Sequence, residues 1–154
     1  KRLHQKGYIT KEINQARGVE IVTSNEFRKN CVEVQITGIL SKGRLTHNPE
    51  RQINIIFSCT DDVDHSGLFA VKIVDDFYKK DFFLKDDILI IRPVEKAQNK
   101  LYLTTTYSSN LHLLKKVKSE KTRFKLSSLN SEVTDRFYKR IRIIGEILQL
   151  VRNF

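Results

Sequence analysis

One stretch near the first cysteine limits the fold more than any other feature of the sequence. In Cys31-Val32-Glu33-Val34-Gln35-Ile36-Thr37, the residues Val32, Val34 and Ile36 share one side of an extended chain, while Glu33, Gln35 and Thr37 share the other. A two-residue period of this kind describes a half-buried β-strand. Four more short runs follow: Gln52 to Cys59, Leu68 to Val74, Asp87 to Val94, and Leu101 to Tyr107, which is rich in β-branched and aromatic residues. Gly38 inside the first run marks a bulge or bend, and Ser41 to Arg51 reads as a turn-rich basic loop. The turn Asp61 to Gly67 predicts a hairpin between the second and third strands. Asp75 to Phe83 breaks the alternation, with Phe77, Tyr78, Phe82 and Phe83 suggesting one or two helical turns.

Five short strands with a helical insert between the third and fourth is the order of an OB-fold barrel, so the expected fold is all-β. Behind it, Val133, Phe137, Ile141, Ile144, Leu148 and Val151 are spaced 4, 4, 3, 4 and 3, which predicts a C-terminal helix capped by Ser131 and packed on the barrel. The chain then divides into an irregular lead-in at 1–30, the barrel at 31–114, and a basic connector with the helix at 115–154.

Charge and composition narrow the function. The 154 residues suit one domain. They carry 28 Lys and Arg against 18 Asp and Glu, a net +10, with 40% apolar residues to build an interior. No run approaches the ~18 apolar residues that span a bilayer, so no membrane partner is expected. The lack of any Met, including at position 1, is expected of a segment cut from a longer protein. Cys31 and Cys59 lie in apolar runs without metal-ligand spacing, and His4, His47, His65 and His112 are scattered, which fits reduced thiols and neither a zinc site nor a disulfide framework. Asp61, Asp62, Asp64 and His65 lack the calcium-loop pattern and read as a solvated acidic turn. No nucleophile, base or metal cluster stands at recognisable spacing, so neither enzymatic activity nor a cofactor is expected.

The positive charge is placed informatively. In an OB-fold the ligand groove crosses strands two and three between two loops. Those loops carry Lys42, Arg44, Arg51, Lys96 and Lys100, with Asn99 beside them. Strand parity turns Gln35, Thr37, Lys72, Tyr102 and Thr104 outward, and Arg92 completes the predicted surface. Cations for a backbone and an aromatic face for a base suit single-stranded nucleic acid. Each cation read singly is also an ordinary solubilising charge, so the ensemble carries the expectation.

The stretch Val32 to Lys42 (VEVQITGILSK), the run Leu84 to Arg92 (LKDDILIIR) and Asn99 to Leu103 leading into Tyr107 to Leu114 resemble the first OB domain of the protection-of-telomeres and ciliate telomere end-binding family. The resemblance covers roughly Tyr8 to Leu114. It implies binding of G-rich single-stranded telomeric DNA, with Lys42 after strand one, Lys72 and Ile73 at the end of strand three and Lys96, Asn99 and Tyr102 before strand five at the ligand. It also implies a place at the telomere in the nucleus, other telomere proteins as partners, and further OB domains in the full-length chain. Leu40-Ser41 and Ile73 stand where that family commonly has aromatics, so fewer bases would be stacked. The rival function is an OB-fold protein-interaction module of a telomere or replication complex.

Overall fold

The computed structural model describes residues 9–11, 19–21, 31–48, 54–58 and 66–153, and its regular structure is almost entirely β. β1 (Ile9–Lys11) and β2 (Val19–Ile21) pair antiparallel within the stretch that the sequence reads as an irregular lead-in. The main sheet is built from β3 (Cys31–Ser41), β4 (Arg44–His47), β5 (Asn54–Ser58), β6 (Phe69–Ile73) and β7 (Ile88–Arg92), followed by β8 (Lys100–Thr106), β9 (His112–Ser119), β10 (Phe124–Ser127), β11 (Arg136–Tyr138) and β12 (Ile141–Val151). Neighbouring strands run in the order β11-β10-β9-β8-β12-β7-β6-β3-β4, with β5 also on β3. β3 and β6 pair in parallel.

All five sequence-predicted strands are present, and the helical insert is a single 3-10 turn, Lys79–Asp81. The β3–β6 register shifts between Ile36 and Gly38, at the glycine that marked a bulge. A Cβ at Gly38 would meet Leu45 Cδ1 at 2.9 Å and Val71 Cγ2 at 3.2 Å, so the two neighbouring strands require its absence. The loop read at Ser41 to Arg51 is different. Its first part is a tight hairpin in which Ser41 pairs with Arg44, and Lys42 and Gly43 both have positive φ, as a two-residue type I′ turn requires.

Three expectations are corrected. The second and third predicted strands do not form a hairpin: β5 pairs with the first half of β3 and β6 with the second half. A turn signal shows that the chain reverses and leaves its partner open, and an eleven-residue strand offers ladder to both. There is no closed five-stranded OB barrel, because the region expected to be a connector and helix supplies β10, β11, β12 and most of β9 and leaves β4 and β11 as edges of an open sheet. There is also no C-terminal helix. β12 is a central strand between β7 and β8, rich in β-branched Ile and Val, and its apolar residues serve both faces. Two bulges, at Ile143/Gly145 and Ile147/Gln149, offset the alternation and leave spacings of three and four that imitate a helix.

The core has three parts. Leu40, Val71, Ile73, Tyr78, Phe83, Leu89, Ile91, Leu103, Leu114 and Ile147 form the largest. Val34, Ile36, Ala70 and Ile90 form a second, and Tyr102, Val117 and Leu126 a third. Alternate residues of β6, β7, β8 and β9 go to different clusters, so these strands are buried on both faces. The most deeply buried carboxylate among the described residues, Asp87, accepts Arg152 Nε and Nη2, each at 2.7 Å, and Leu84 N at 2.7 Å. That bidentate pairing is what makes its burial tolerable.

Candidate functional site

The tip of the β3–β4 hairpin is held by contacts from two separate segments, Asp75 to Phe77 and Leu111 to His112. Asp75 Oδ2 accepts Ser41 Oγ at 2.9 Å and Lys42 N at 2.7 Å, and Asp75 Oδ1 accepts Phe77 N at 3.0 Å. Burial pushes the Asp75 carboxyl up, but the hydrogen bonds from Phe77, Lys42 and Ser41 outweigh it and hold the group below the usual carboxylate range. His112 N donates to Gly43 O at 2.7 Å, and His112 Nδ1 accepts Leu45 N at 3.2 Å. Burial keeps the His112 imidazole below its ordinary value, with Arg142 adding to the effect against the Gly43 carbonyl. The rings and methyls close in as well: a Cβ on Gly43 would lie 2.9 Å from both Phe77 Cζ and Leu111 Cδ2.

Beside this hairpin runs a cleft of about 470 Å³. The 3-10 segment supplies Phe77, Lys80 and Asp81 to one wall, and Ser108, Ser109 and Leu111 of the β8–β9 turn supply another. The sheet gives Leu113, Lys115, Leu126, Arg136 and Tyr138. Lys115 Nζ donates to Asp81 Oδ1 at 2.6 Å, with both side chains about 15% exposed. Tyr78, next to the cleft, donates its hydroxyl to His112 O at 2.8 Å, and burial pushes the phenol pKa up. The hydroxyls of Thr106 and Ser109 are paired with each other at 2.5 Å. Among the described residues no group of three or more His, Cys, Asp or Glu is arranged to hold a metal ion.

The residues expected from the sequence to line one groove are spread over the molecule. Lys42 and Arg44 are exposed on the hairpin, Gln35 is exposed on β3, and Thr37 is half-buried. Lys72 faces Asp86 at 3.7 Å. Ile73 and Thr104 are fully buried, and Thr104 Oγ1 donates to Leu113 O at 3.4 Å. Asn99 sits in a turn at φ 56°. Arg51, and the acidic turn Asp61 to His65, lie outside the described residues. Four do converge: Arg92 and Lys100 pair with Glu146, and Arg92, Lys96 and Tyr102 share a recess of about 440 Å³ with that carboxylate. Tyr102 is not a stacking platform. It is 1% exposed and its oxygen accepts Gln98 N at 2.7 Å, because β8 is buried on the face that parity alone would give to solvent.

Sequence reasoning missed the cleft residues Phe77, Asp81, Lys115 and Arg136 and the clamp residues Asp75 and His112. Lys115 was assigned to a connector, although Leu113, Lys115 and Val117 already alternate with Leu114, Lys116 and Lys118 as a strand does.

Comparison with known proteins gives these features a family. The sequence profile of the family described as "Peptidase S24-like" matches residues 36–148. The LexA repressor of Bacillus mycoides is 23% identical over 156 residues, covering 99% of this chain and 76% of its own length. The LexA repressor of Staphylococcus aureus is 24% identical over 159 residues with the same coverage. The match overturns the resemblance to telomere end-binding proteins. Telomeric single-stranded DNA, telomere proteins, further OB domains and a nuclear location go with it, because the matched relatives are bacterial repressors. The interaction-module alternative falls with the OB barrel on which it rested. Runs such as VEVQITGILSK and LKDDILIIR are what any buried strand beside a bulge or turn looks like, so they carried no family information. Among the described residues no helix is long and apolar enough to cross a membrane. The S24 family includes self-cleaving peptidases, so the expectation of no enzymatic activity is not supported. With a profile match over more than half of its length, the chain belongs to the Peptidase S24-like family.

Proposed function

We propose that this is a non-cleaving S24-like domain of a repressor-type protein, in which the cleft binds a chain segment without cutting it. The observation that carries the reading is the partner of Lys115. A peptidase that cuts through a side-chain nucleophile needs a hydroxyl or thiol hydrogen-bonded to a base with a free lone pair. Lys115 Nζ instead donates to Asp81 Oδ1 at 2.6 Å, and the aromatic ring of Phe77 packs against the neighbouring hairpin turn. Three hydroxyls at the cleft and hairpin are engaged elsewhere, Ser109 with Thr106, Tyr78 with His112 O and Ser41 with Asp75. Relatives named as repressors support a regulatory role over a digestive one.

The test is the intact mass of the purified chain after prolonged incubation from about pH 7 to about pH 10, the upper end reaching the range in which an ordinary lysine begins to lose its proton. One unchanged mass is expected throughout. Two fragments that together account for the chain plus water, and that disappear in Lys115→Ala, would overturn the proposal.

A further inference from the structure

The charge of the chain is concentrated in one region. Residues 115–142 hold ten Lys and Arg against three Asp and Glu, which is seven of the ten net positive charges in 28 residues. Three of these cations are neutralised: Lys115 by Asp81, Arg123 by Glu120 and Lys125 by Asp135. The other seven are exposed and make no ion pair among the described residues.

Register places part of this charge on one face. Lys118 stands directly opposite Lys125, which stands opposite Phe137, and Lys116 shares the face two residues along β9. Like charges directly across a ladder destabilise it, so the arrangement is not one that sheet stability favours. Cations two residues apart on a strand lie about 6.6 Å from each other, and strands lie about 4.8 Å apart, so the unpaired Lys116 and Lys118 stand close together beside Lys125, which Asp135 pairs.

The chemistry of the face distinguishes among polyanions. Phe137 is the one large apolar side chain exposed on β9, β10 and β11, Leu129 is exposed in the β10–β11 connection, and Phe77, Phe82, Leu84 and Tyr107 belong to other segments. An acidic peptide or a membrane surface would need more apolar anchors than these two. A single strand would need several free aromatic faces for its bases, yet Phe137 is the one aromatic exposed there and one face of its ring is taken by the Arg123 guanidinium, 3.8 Å from its centroid. What remains matched is a regular, densely charged duplex whose bases stay stacked. We infer that the exposed face of β9, β10 and β11, centred on Lys116 and Lys118, contacts the phosphate backbone of duplex DNA without reading its sequence.

The test is a fluorescence-anisotropy titration of the chain with labelled DNA duplexes of two unrelated sequences, at salt from about 50 mM to about 200 mM. Both duplexes are expected to bind equally. If about four phosphates are neutralised, log affinity falls with log salt at a slope near −3.6. Lys116→Glu with Lys118→Glu is expected to weaken binding by about tenfold or more and flatten the slope by about 1.8. Lys79→Glu with Lys85→Glu makes the same change of net charge on the 3-10 segment and the loop after it, and is expected to change affinity less than about threefold. If the first pair unfolds, Lys116→Gln with Lys118→Gln replaces it, read against the same control. Equal weakening by both pairs, no binding at the lowest salt, or tighter binding to a single strand, to duplex RNA, to polyglutamate or to anionic vesicles would overturn the inference.

Discussion

Lys115 and Asp81, 34 positions apart in sequence, meet at 2.6 Å in the cleft, each with about 15% of its side chain exposed. A charge pair this far from water is stabilised by its partner and by little else, so losing one member leaves the other uncompensated. Asp81→Ala is expected to lower the free energy of unfolding by about 3 kcal/mol. Replacing both members, Lys115→Met with Asp81→Leu, is expected to restore most of it. Urea unfolding of the single and double variants measures the difference, and equal losses in both would refute the account.

The hairpin clamp yields a second prediction. Gly43 has φ +77°, and a Cβ there would be 2.9 Å from both Phe77 Cζ and Leu111 Cδ2. Gly43→Ala is expected to cost about 1–3 kcal/mol from backbone conformation and overlap together. In a Phe77→Ala background the overlap is halved, so the same substitution should cost measurably less. Additive losses in the double-mutant cycle would show that Phe77 does not press on the turn.

Acidification acts first through His112. Its folded value lies below the ordinary 6.5, so the native state favours the neutral ring. The resulting stability is complete above the unfolded value and is lost as pH falls through 6.5 toward the folded value. Protonation also removes the Nδ1 lone pair that accepts Leu45 N. Stability measured by denaturant unfolding should therefore decline between about pH 7 and about pH 5. His112→Asn, which keeps an acceptor without a titrating ring, should be flat over that range. Asp75 and Glu146 have values below 3.8 and 4.5, so their contributions are retained until pH falls below those values.

Arg152 closes the core from its far end. Its guanidinium takes both oxygens of Asp87, a residue 1% exposed, and also donates to Phe82 O at 2.8 Å. Arg152→Ala leaves that carboxylate with Leu84 N alone, at an expected cost of about 3–5 kcal/mol. Lys85→Ala, an exposed neighbour on the same loop, should cost little. Thermal melts of the two variants, run side by side, test this directly.

Where local pattern decides structure, the sequence was readable. The alternation of Val32, Val34 and Ile36, the short runs ending at Val94 and Tyr107, and the bulge at Gly38 all follow from side-chain period and glycine geometry, which neighbouring residues determine. That is enough for an all-β chain with a strong positive charge. It is not enough for the order of the sheet, since pairing of β3 with β5, β4 and β6 depends on segments the pattern treats alike. β12 was misread because insertion between β7 and β8 buries both of its faces, and its bulges disguise the two-residue period. The same holds for Tyr102, whose outward parity meant exposure only while the other face of β8 had nothing to cover it. The cleft was invisible in sequence for a related reason: Phe77 and Asp81, Lys115, and Arg136 sit in three segments, and only long-range strand pairing sets a lysine of β9 against an aspartate of the 3-10 turn. Residue types and periods determined what each segment would be, while the tertiary structure alone decided which segments met, because contact energies are realised only between groups that the completed sheet brings within reach.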